Sequence, residues 1–371
     1  MILLLEVLFF SFIVIVGIQI IFYGIIFGSF STLKPKPSVQ KNIGVSVIIC
    51  AKNEADNLKK NLPLFVNQDY KTFELVLIND NSSDETLEVM EIFKKKYDSI
   101  KIVDVKPIEK FWGNKKYALT LGIKASTHDF LLFTDADCKP LSNQWISNMS
   151  AQFSNEKSIV IGYGAYKKIK KSLLNLLIRF ETFMTAVQYF SYAKIGNPYM
   201  AVGRNLAYKK ELFFEANGFM NHMNVRSGDD DLFINQVATK HNTSLSISKE
   251  SFTESLPKTT FKSWVLQKQR HISTAKHYKA KHKILLALFY ISQILFWVLA
   301  LTLLVFLFQW EIVTILIAIR FIVQYLNLYL ISKKLNETEL LFFLPFLEII
   351  LIIFQFFIFM KNLSSKPQHW K

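Results

Sequence analysis

Long apolar runs at the two ends of the chain constrain its fold more than any other feature. They cover Ile2–Phe30, Ile284–Phe308, Ile312–Ile331 and Leu340–Met360. Each run is long enough to cross a bilayer, which takes about 20 helical residues. The composition agrees, because 51% of the 371 residues are hydrophobic and 34 are Phe. We therefore predict an integral membrane protein with a transmembrane anchor over 1–30 and a membrane region of about three segments over 284–360.

The first apolar run has a second interpretation, a cleaved signal peptide. No Lys or Arg precedes the run, and no clear small-x-small cleavage site closes it, so we favour an uncleaved anchor. Lysines lie just after this run and just before the next one: Lys34, Lys36, Lys41, Lys276, Lys279, Lys281 and Lys283. By the positive-inside rule, the region between them is cytoplasmic. The expected location is the plasma (inner) membrane of a bacterium.

Two ionisable residues fall inside the C-terminal apolar runs. Arg320 and Glu348 would lie at membrane depth, where charges are costly and face partners or water. We expect the two side chains to pair with each other.

The net charge of +15 raises the question of nucleic-acid binding. No zinc-finger spacing, RNP-type motif or basic heptad region accompanies the charge, and much of it lies beside the apolar runs. Such clusters suit an anionic membrane surface, so no nucleic-acid partner is expected. Cys50 and Cys138 lie in or next to predicted core strands and are expected to be buried, reduced thiols.

The middle of the chain alternates short apolar runs with amphipathic helical patterns. The runs are Val45–Cys50, Phe73–Ile78, Ile100–Val105 and Phe130–Phe133. Runs that are apolar on both faces and alternate with helices indicate an α/β fold with a doubly wound, mostly parallel sheet. The predicted domain covers 42–280.

The fourth run ends in two carboxylates, Asp135 and Asp137, within Phe130–Cys138. Two acids this close repel each other unless a cation lies beside them. Hard oxygen ligands suit Mg²⁺ or Mn²⁺, which usually also binds substrate phosphate. An ordinary solvated turn is the alternative for this pair alone. Polar clusters also follow the first two runs, and together they predict a site at one edge of the sheet.

Seven motifs in order carry a resemblance to a known family: VSVIICAKNEADN, LINDNSSDET, GNKKYAL, FTDADC, VGRNLAY, GDDDL and QKQRH. Over about 230 residues, the chain resembles a family 2 inverting glycosyltransferase of the GT-A fold, a Rossmann-like sheet. The resemblance implies a nucleotide-sugar donor, expected to be UDP-linked, and a divalent metal. It implies metal ligands at Asp135 and Asp137. It implies donor-binding residues at Ala51, Asn53, Glu54, Asp80, Lys115, Asp135 and Gln267.

The resemblance also implies the residues that catalyse transfer. The family carries its general base in a Glu-Asp pair, and counting back from Leu232 places the base at Asp229. Gly228 occupies the Glu position, which leaves Asp230 as a second candidate. The family's processive synthases carry Gln-x-x-Arg-Trp where this chain has Gln267 to His271. Arg270 would then meet the diphosphate, and His271 would replace the Trp beneath the acceptor sugar.

The sequence leaves some functions open. Ser172–Tyr192 has polar residues at nearly helical spacing, so it could line an acceptor cleft or pack in the core. The predicted function is metal-dependent, inverting transfer of one or a few sugars to a membrane-associated lipid or a cell-envelope polysaccharide. A processive polysaccharide synthase and a non-catalytic membrane scaffold are the alternatives. A nucleotidyltransferase is less favoured, because no Gly-rich phosphate loop follows the first strand.

Overall fold

The computed structural model describes residues 1–35, 41–106, 115–225 and 227–364. Lys36 and the first two residues of the GNKKYAL motif, Gly113 and Asn114, lie outside these ranges. The α-helices are α1 (Ile2–Ile20), α2 (Phe27–Ser31), α3 (Ala55–Val66), α4 (Thr86–Lys96), α5 (Lys115–Ala125), α6 (Trp145–Ser150), α7 (Leu173–Lys194), α8 (Lys210–Glu215), α9 (Asp231–Val237), α10 (Phe261–Ile272), α11 (Ala280–Val305), α12 (Trp310–Leu335) and α13 (Leu344–Ser364).

Four parallel strands form the first half of the main sheet, as the sequence predicts. They are β1 (Val45–Ala51), β2 (Phe73–Asp80), β3 (Ile100–Val105) and β4 (Phe130–Asp135). They pair in the order β3-β2-β1-β4. The predicted α/β class with a mostly parallel, doubly wound sheet is confirmed. The parallel arrangement brings the carboxyl ends of β1, β2 and β4 to one edge.

Short strands complete the architecture and were not predicted. They are β5 (Cys138–Pro140), β6 (Ile159–Ile161), β7 (Gly164–Tyr166), β8 (Leu206–Lys209), β9 (Thr243–Leu245) and β10 (Thr253–Ser255). The main sheet continues from β4 through antiparallel β8 to β6 and β9. A second sheet has the order β5-β10-β7 and forms another wall near the end of β4.

Helix α5 packs very closely on the sheet, and this contact places its first residue near the end of β4. A Cβ at Gly122 would lie 2.2 Å from Ile78 Cδ1, so a larger residue would force this buried side chain to move. Lys115, the first residue of α5, therefore reaches the edge where the strands end.

Among the described residues, four helices are long and apolar enough to cross a membrane: Ile2–Ser31, Ala280–Val305, Trp310–Leu335 and Thr338–Asn362. The first joins α1 to α2 through a π-helical turn, Ile21–Ile26. These helices match the four apolar runs read from the sequence.

Arg320 and Glu348 form an ion pair within this helical bundle, as expected. Gln324 Nε2 donates to Glu348 at 3.0 Å, and Arg320 Nη2 donates to Gln19 of α1 at 3.0 Å. Arg320 is fully buried and Glu348 is 2% exposed. Side chains from three membrane helices therefore meet in one polar cluster.

The bundle and the α/β domain share packed side chains. Trp264 of α10 stacks on Phe354 of α13, with ring centroids 4.0 Å apart and planes 7° apart. Tyr166, Ile178 and Ile358 belong to the same apolar cluster. The helix that carries the QKQRH motif therefore rests on a membrane helix.

Candidate active site

A cavity of about 370 Å³ lies at the carboxyl edge of the parallel strands. Most of the predicted site residues line it: Glu54, Asp80, Lys115, Asp135, Asp137, Asp229, Asp230, Gln267, Arg270 and His271. Residues that are up to 217 positions apart in sequence (271 − 54) thus face one space. The fold therefore brings site residues from separate sequence motifs together around one cavity.

Two predicted donor-binding residues, Ala51 and Asn53, are not among the residues that line the cavity. Ala51 is 1% exposed within β1, while its neighbour Cys50 reaches the cavity. Asn53 has a left-handed backbone, with φ of 55°, and its Oδ1 accepts a hydrogen bond from the backbone N–H of Ser83. Its side chain therefore braces the turn after β2.

Lys115 bridges two carboxylates that the sequence assigns to different roles. Its Nζ lies 2.7 Å from Asp135 Oδ1 and 3.2 Å from Asp229 Oδ2. Burial alone would lower the pKa of Lys115, but the two carboxylates outweigh burial and hold that pKa well above its ordinary value. Burial raises the pKa of Asp135, yet the cations nearby, led by Lys115, bring the net pKa below its ordinary value. The Lys115 ammonium and the Asp135 carboxylate are therefore charged near neutral pH.

The end of β4 offers oxygen ligands suited to a hard divalent cation. Ligand atoms of Asp135, Asp137 and Cys138 all lie within 4.8 Å of one another. Burial, and then the charges of Asp137 and Asp135, raise the pKa of the Cys138 thiol well above its ordinary value. A protonated thiol is a poor metal ligand. The two carboxylates therefore fit Mg²⁺ or Mn²⁺, with remaining positions for substrate oxygens.

Three consecutive aspartates before and at the start of α9 have three different environments. Asp229 faces Lys115, whereas Asp230 accepts a hydrogen bond from the backbone N–H of Gly203 at 2.6 Å. Asp231 is buried and accepts hydrogen bonds from Thr274 Oγ1 and, at 2.6 Å, from Tyr278 Oη. Burial and the neighbouring acids raise the pKa of Asp230 to about 7. Asp229 is thus the aspartate of the three that shares a cation with the metal-site carboxylate.

Lys116 supports the loop that precedes these aspartates. Its side chain is fully buried, and Nζ donates to the carbonyls of His222 at 2.7 Å and Val225 at 2.8 Å. Burial lowers the pKa of Lys116 to about 8. The two adjacent lysines at the start of α5 therefore have different partners. Lys115 contacts carboxylates in the cavity, and Lys116 binds backbone carbonyls of the loop.

Helix α10 brings the end of the QKQRH motif to the cavity. Gln267 Nε2 donates to Tyr166 Oη at 3.3 Å, and Arg270 and His271 line the same wall. His271 is exposed and lines the cavity. Partial loss of water around its ring and the charges of Lys268 and Arg270 hold the pKa of His271 well below its ordinary value. The imidazole is therefore uncharged near neutral pH.

A profile for "Glycosyl transferase family 21" matches residues 9–371 of this chain. The chain belongs to glycosyl transferase family 21. The predicted glycosyltransferase is thereby confirmed; its motifs had suggested family 2, and the family whose profile matches is 21. The match extends over the membrane helices as well as the α/β domain.

Family 21 membership is accompanied by similarity to other glycosyltransferases. The chain is 35% identical to the "Probable glycosyltransferase YdaM" of Bacillus subtilis over 141 residues, or 37% of this chain and 33% of that protein. It is 32% identical to the poly-beta-1,6-N-acetyl-D-glucosamine synthase of Staphylococcus epidermidis over 106 residues, or 29% and 24%. The aligned part is thus a quarter to a third of these relatives.

A solved structure shares the fold. The mannosyltransferase PcManGT from Pyrobaculum calidifontis, in complex with GDP-Man and Mn²⁺, superposes with a TM-score of 0.58 and 16% identity. The superposition covers 90% of this chain and 98% of that one. At this identity, the likeness supports the GT-A architecture alone.

Sequence reasoning assigned no chemistry to Arg204, which lines the cavity. Its Nη1 donates to Ser255 Oγ at 2.9 Å, and its guanidinium lies 4.3 Å from the centre of the Tyr166 ring. Arg204 lies within the VGRNLAY motif, so the sequence did mark its position. The partners of Arg204 could not be predicted, because Ser255 and Tyr166 belong to β10 and β7, two short strands that were not predicted.

Sequence reasoning also left the role of α7 open. Glu181, Thr182, Thr185 and Gln188 line the cavity, so this helix contributes to the site as well as to the core. The cavity wall also includes Leu286 of α11 and Phe354 and Gln355 of α13. The signal was the helical spacing of polar residues within Ser172–Tyr192.

Proposed function

We propose that this protein is an inverting, metal-dependent glycosyltransferase. It moves a sugar from a nucleotide-sugar donor, expected to be UDP-linked, to a membrane-associated lipid or polysaccharide acceptor. The observation that carries the proposal is the bridge from Asp135 through Lys115 to Asp229, which joins a metal-site carboxylate and a candidate base in one cavity.

The donor side of the cavity supports this proposal. Asp135 and Asp137 would hold Mg²⁺ or Mn²⁺, and the ion would supply counter-charge to the departing diphosphate. Glu54 and Asp80 are assigned to the nucleoside, because they line the cavity just after β1 and at the last residue of β2. PcManGT, which shares the fold, was solved with GDP-Man and Mn²⁺.

Asp229 is assigned as the base for transfer with inversion. Its carboxylate takes the proton as the acceptor hydroxyl attacks the anomeric carbon, while the bond to the diphosphate breaks on the opposite face. Lys115 and Arg270 carry positive charge in the same cavity and favour the leaving group's negative charge. Asp230 is held by Gly203 and Asp231 by Thr274 and Tyr278, which makes both poorer candidates.

The membrane helices support an acceptor that resides in or at the bilayer. Leu286, Phe354 and Gln355 belong to candidate membrane spans and line the catalytic cavity. The lysines that flank the α/β domain support a cytoplasmic location. A membrane-impermeant thiol reagent applied to intact cells should fail to label the exposed position in Ser99→Cys, and efficient labelling would contradict this topology.

We favour addition of one or a few sugars over processive synthesis. His271 stands where the resembling synthases carry Trp, and imidazole offers less surface for stacking on a sugar. The similarity to a poly-N-acetylglucosamine synthase favours the alternative. The length of the product made by the purified protein decides between them, since a ladder of long polymer would contradict limited addition.

The central experiment tests the metal site. Purified protein is given a panel of UDP- and GDP-linked sugars, and nucleotide release is measured with Mg²⁺, with Mn²⁺ and with EDTA. Asp137→Asn should weaken metal-dependent donor binding by about 100-fold, because the ion loses an anionic ligand and the diphosphate its counter-charge.

Asp104→Asn is the control, since Asp104 lies near the carboxyl end of β3 in the same sheet but outside the residues that line the cavity. It should bind donor as the native protein does. Unchanged affinity and unchanged EDTA sensitivity in Asp137→Asn would refute the metal assignment. No nucleotide release from any donor would refute the proposed function.

A further inference from the structure

Arg204 lines the cavity and has no part in the roles assigned above. Its backbone is fixed beside the metal site, because its carbonyl accepts hydrogen bonds from Thr134 Oγ1 at 3.0 Å and from Thr253 Oγ1 at 2.9 Å. Thr134 precedes Asp135 in β4, and Thr253 belongs to β10. Arg204 therefore lies where the second sheet meets the end of β4.

The guanidinium of Arg204 is held in place by its neighbours. Nη1 donates to the carbonyl of Ala165 at 3.2 Å and to Ser255 Oγ at 2.9 Å, and Cζ lies 4.3 Å from the centre of the Tyr166 ring. The backbone of Gly164 is also close, since a Cβ there would lie 3.3 Å from Nε and 3.4 Å from Cζ. A ligand that binds this group therefore does not have to order it first.

One edge of this guanidinium is left without a protein partner. Nη1 makes the hydrogen bonds given above, whereas Nε and Nη2 make none with the described residues. Both atoms keep access to solvent. Asp135 and Asp137 lie beyond ion-pair distance and are assigned to the metal ion. Together Nε and Nη2 form a fork that fits two oxygens of a phosphate or a carboxylate.

Two other arginines show what a guanidinium enclosed by this fold normally has beside it. Arg179 pairs with Glu337, and Arg320 pairs with Glu348. Arg204 forms no ion pair with any residue in the described ranges. A charge removed from water is costly unless it is paired, so the unpaired guanidinium in the cavity indicates a ligand that supplies negative charge.

The order of the strands gives the place of Arg204 along the donor. The edge of the main sheet runs β2-β1-β4-β8, with adjacent strands about 4.8 Å apart. Asp80 ends β2 and Asp135 ends β4, while Arg204 lies just before β8, which is antiparallel and so begins at the same edge. A donor with its nucleoside at β1 and β2 and its diphosphate at β4 therefore places its sugar end toward Arg204.

We propose that Arg204 binds an oxyanion at the sugar end of the donor through its Nε and Nη2 edge. Two donor groups have this chemistry: the phosphate that carries the sugar, and a carboxylate on the sugar itself, as in a uronic acid. Bound to the phosphate, Arg204 stabilises the leaving diphosphate; bound to the carboxylate, it selects the donor sugar. This inference rests on the glycosyltransferase function proposed above.

The experiment measures the binding of donor fragments to the full-length protein in detergent with Mn²⁺, by calorimetry. The uridine series is UMP, UDP, UDP-glucose and UDP-glucuronic acid, and the guanosine series is GMP, GDP, GDP-mannose and GDP-mannuronic acid. Each series adds the second phosphate, then the sugar, then the sugar carboxylate. Arg204→Gln removes the charge and the fork, so binding should weaken about 10- to 100-fold at the step that adds the oxyanion.

The step at which the loss appears identifies the oxyanion. For the phosphate, Arg204→Gln weakens the binding of the diphosphate and of both nucleotide sugars but not of the monophosphate. For the carboxylate, the native protein binds the uronic-acid donor about tenfold more tightly than the neutral donor, and Arg204→Gln loses only this preference.

Three results would overturn the inference: no loss at any step, a loss already present with the monophosphate, or a loss that begins only with the neutral sugar. Failure of the native protein to bind any of these nucleotides would instead overturn the proposed function on which the inference rests.

Two further variants separate the fork of Arg204 from general damage to the site. Gly164→Ala places a methyl group against the guanidinium and keeps its charge, so it should weaken the binding of the same ligands, and it decides the question if Arg204→Gln does not fold. Lys139→Gln is the control. Lys139 is a cation of the second sheet that pairs with Glu254 outside the cavity-lining residues, so this variant should bind every ligand as the native protein does. Equal losses in Arg204→Gln and Lys139→Gln would refute the site.

Discussion

Two clusters of buried charge, one in the membrane bundle and one in the cavity, differ in how their charges balance. In the bundle, Arg320 pairs with Glu348, and amides of Gln19 and Gln324 complete the hydrogen bonding. In the cavity, Lys115 is shared between Asp135 and Asp229, and Asp80, Asp137 and Asp230 line the same space.

This difference between the two clusters indicates which of them belongs to the functional site. Arg320 is fully buried and is not among the residues that line the cavity, so its charge serves helix association. At the end of β4, Asp135 and Asp137 instead face a cavity, where their carboxylates would suit a metal ion. Charged groups that pair with one another inside a helical bundle serve packing, whereas charged groups that face a cavity are candidates for binding a ligand.

The largest expected effect is on turnover. Asp229→Asn should lower the rate of sugar transfer by about 10²–10⁴-fold, because the acceptor hydroxyl loses its base. Donor affinity should stay within a few-fold of the native value, measured by nucleotide binding. Asp230→Asn is the matched control and should retain most activity. If Asp230→Asn were inactive and Asp229→Asn active, the base would be Asp230.

Breaking the membrane cluster should act on stability. Glu348→Ala leaves Arg320 buried without its carboxylate and should destabilise the protein by about 3–5 kcal/mol. Donor affinity of the folded fraction should be unchanged. Thermal unfolding in detergent measures the loss, with Glu339→Ala as control. Glu339 is a 47% exposed partner of Arg179, and its removal should cost at most about 1 kcal/mol. Similar losses in both variants would contradict the distinction between the clusters.

Two substitutions in the QKQRH motif distinguish the effect of a positive charge from the effect of contact area. Arg270→Ala should lower turnover about 100-fold, the usual effect of losing one group that meets developing charge. His271→Ala should lower it only a few-fold, because the uncharged ring offers contact area alone. Initial rates at saturating donor measure both. An active Arg270→Ala would remove Arg270 from the catalytic residues.

The smallest effect concerns pH. The pKa of Asp230 is raised from 3.8 to about 7, so the folded protein keeps a proton that the unfolded chain releases. Its contribution to stability therefore falls as the pH rises from about 4 to 7. The side chain of Asp230→Asn does not titrate. The free energy of unfolding of this variant should therefore rise relative to that of the native protein, by about 2 kcal/mol, when the pH is raised from 5 to 8. Parallel unfolding curves at the two pH values would contradict the shift.

The sequence was sufficient for the parallel half of the sheet because each of its strands is a local apolar run that ends in polar residues. It could not predict β8, since Leu206–Lys209 is short and its Tyr208 pairs with Leu131 of β4, 77 positions earlier in the chain. It placed the base at Asp229 by resemblance but left Asp230 open, and it did not show how the environments of Asp229, Asp230 and Asp231 differ. Three identical side chains differ only in what the fold places beside them, namely Lys115, Gly203 and Tyr278.

The stacking of Trp264 on Phe354 sets an order of assembly during synthesis. Residues of β1 to β4 leave the ribosome early and can pair with one another, whereas Phe354 follows Trp264 by 90 positions (354 − 264). Before α13 is made, Trp264 can pack on Tyr166 and Ile178 of the α/β domain but lacks Phe354, the ring on which it stacks. Helix α10, which carries Arg270, therefore reaches its full packing only after the last helix of the chain has been synthesised.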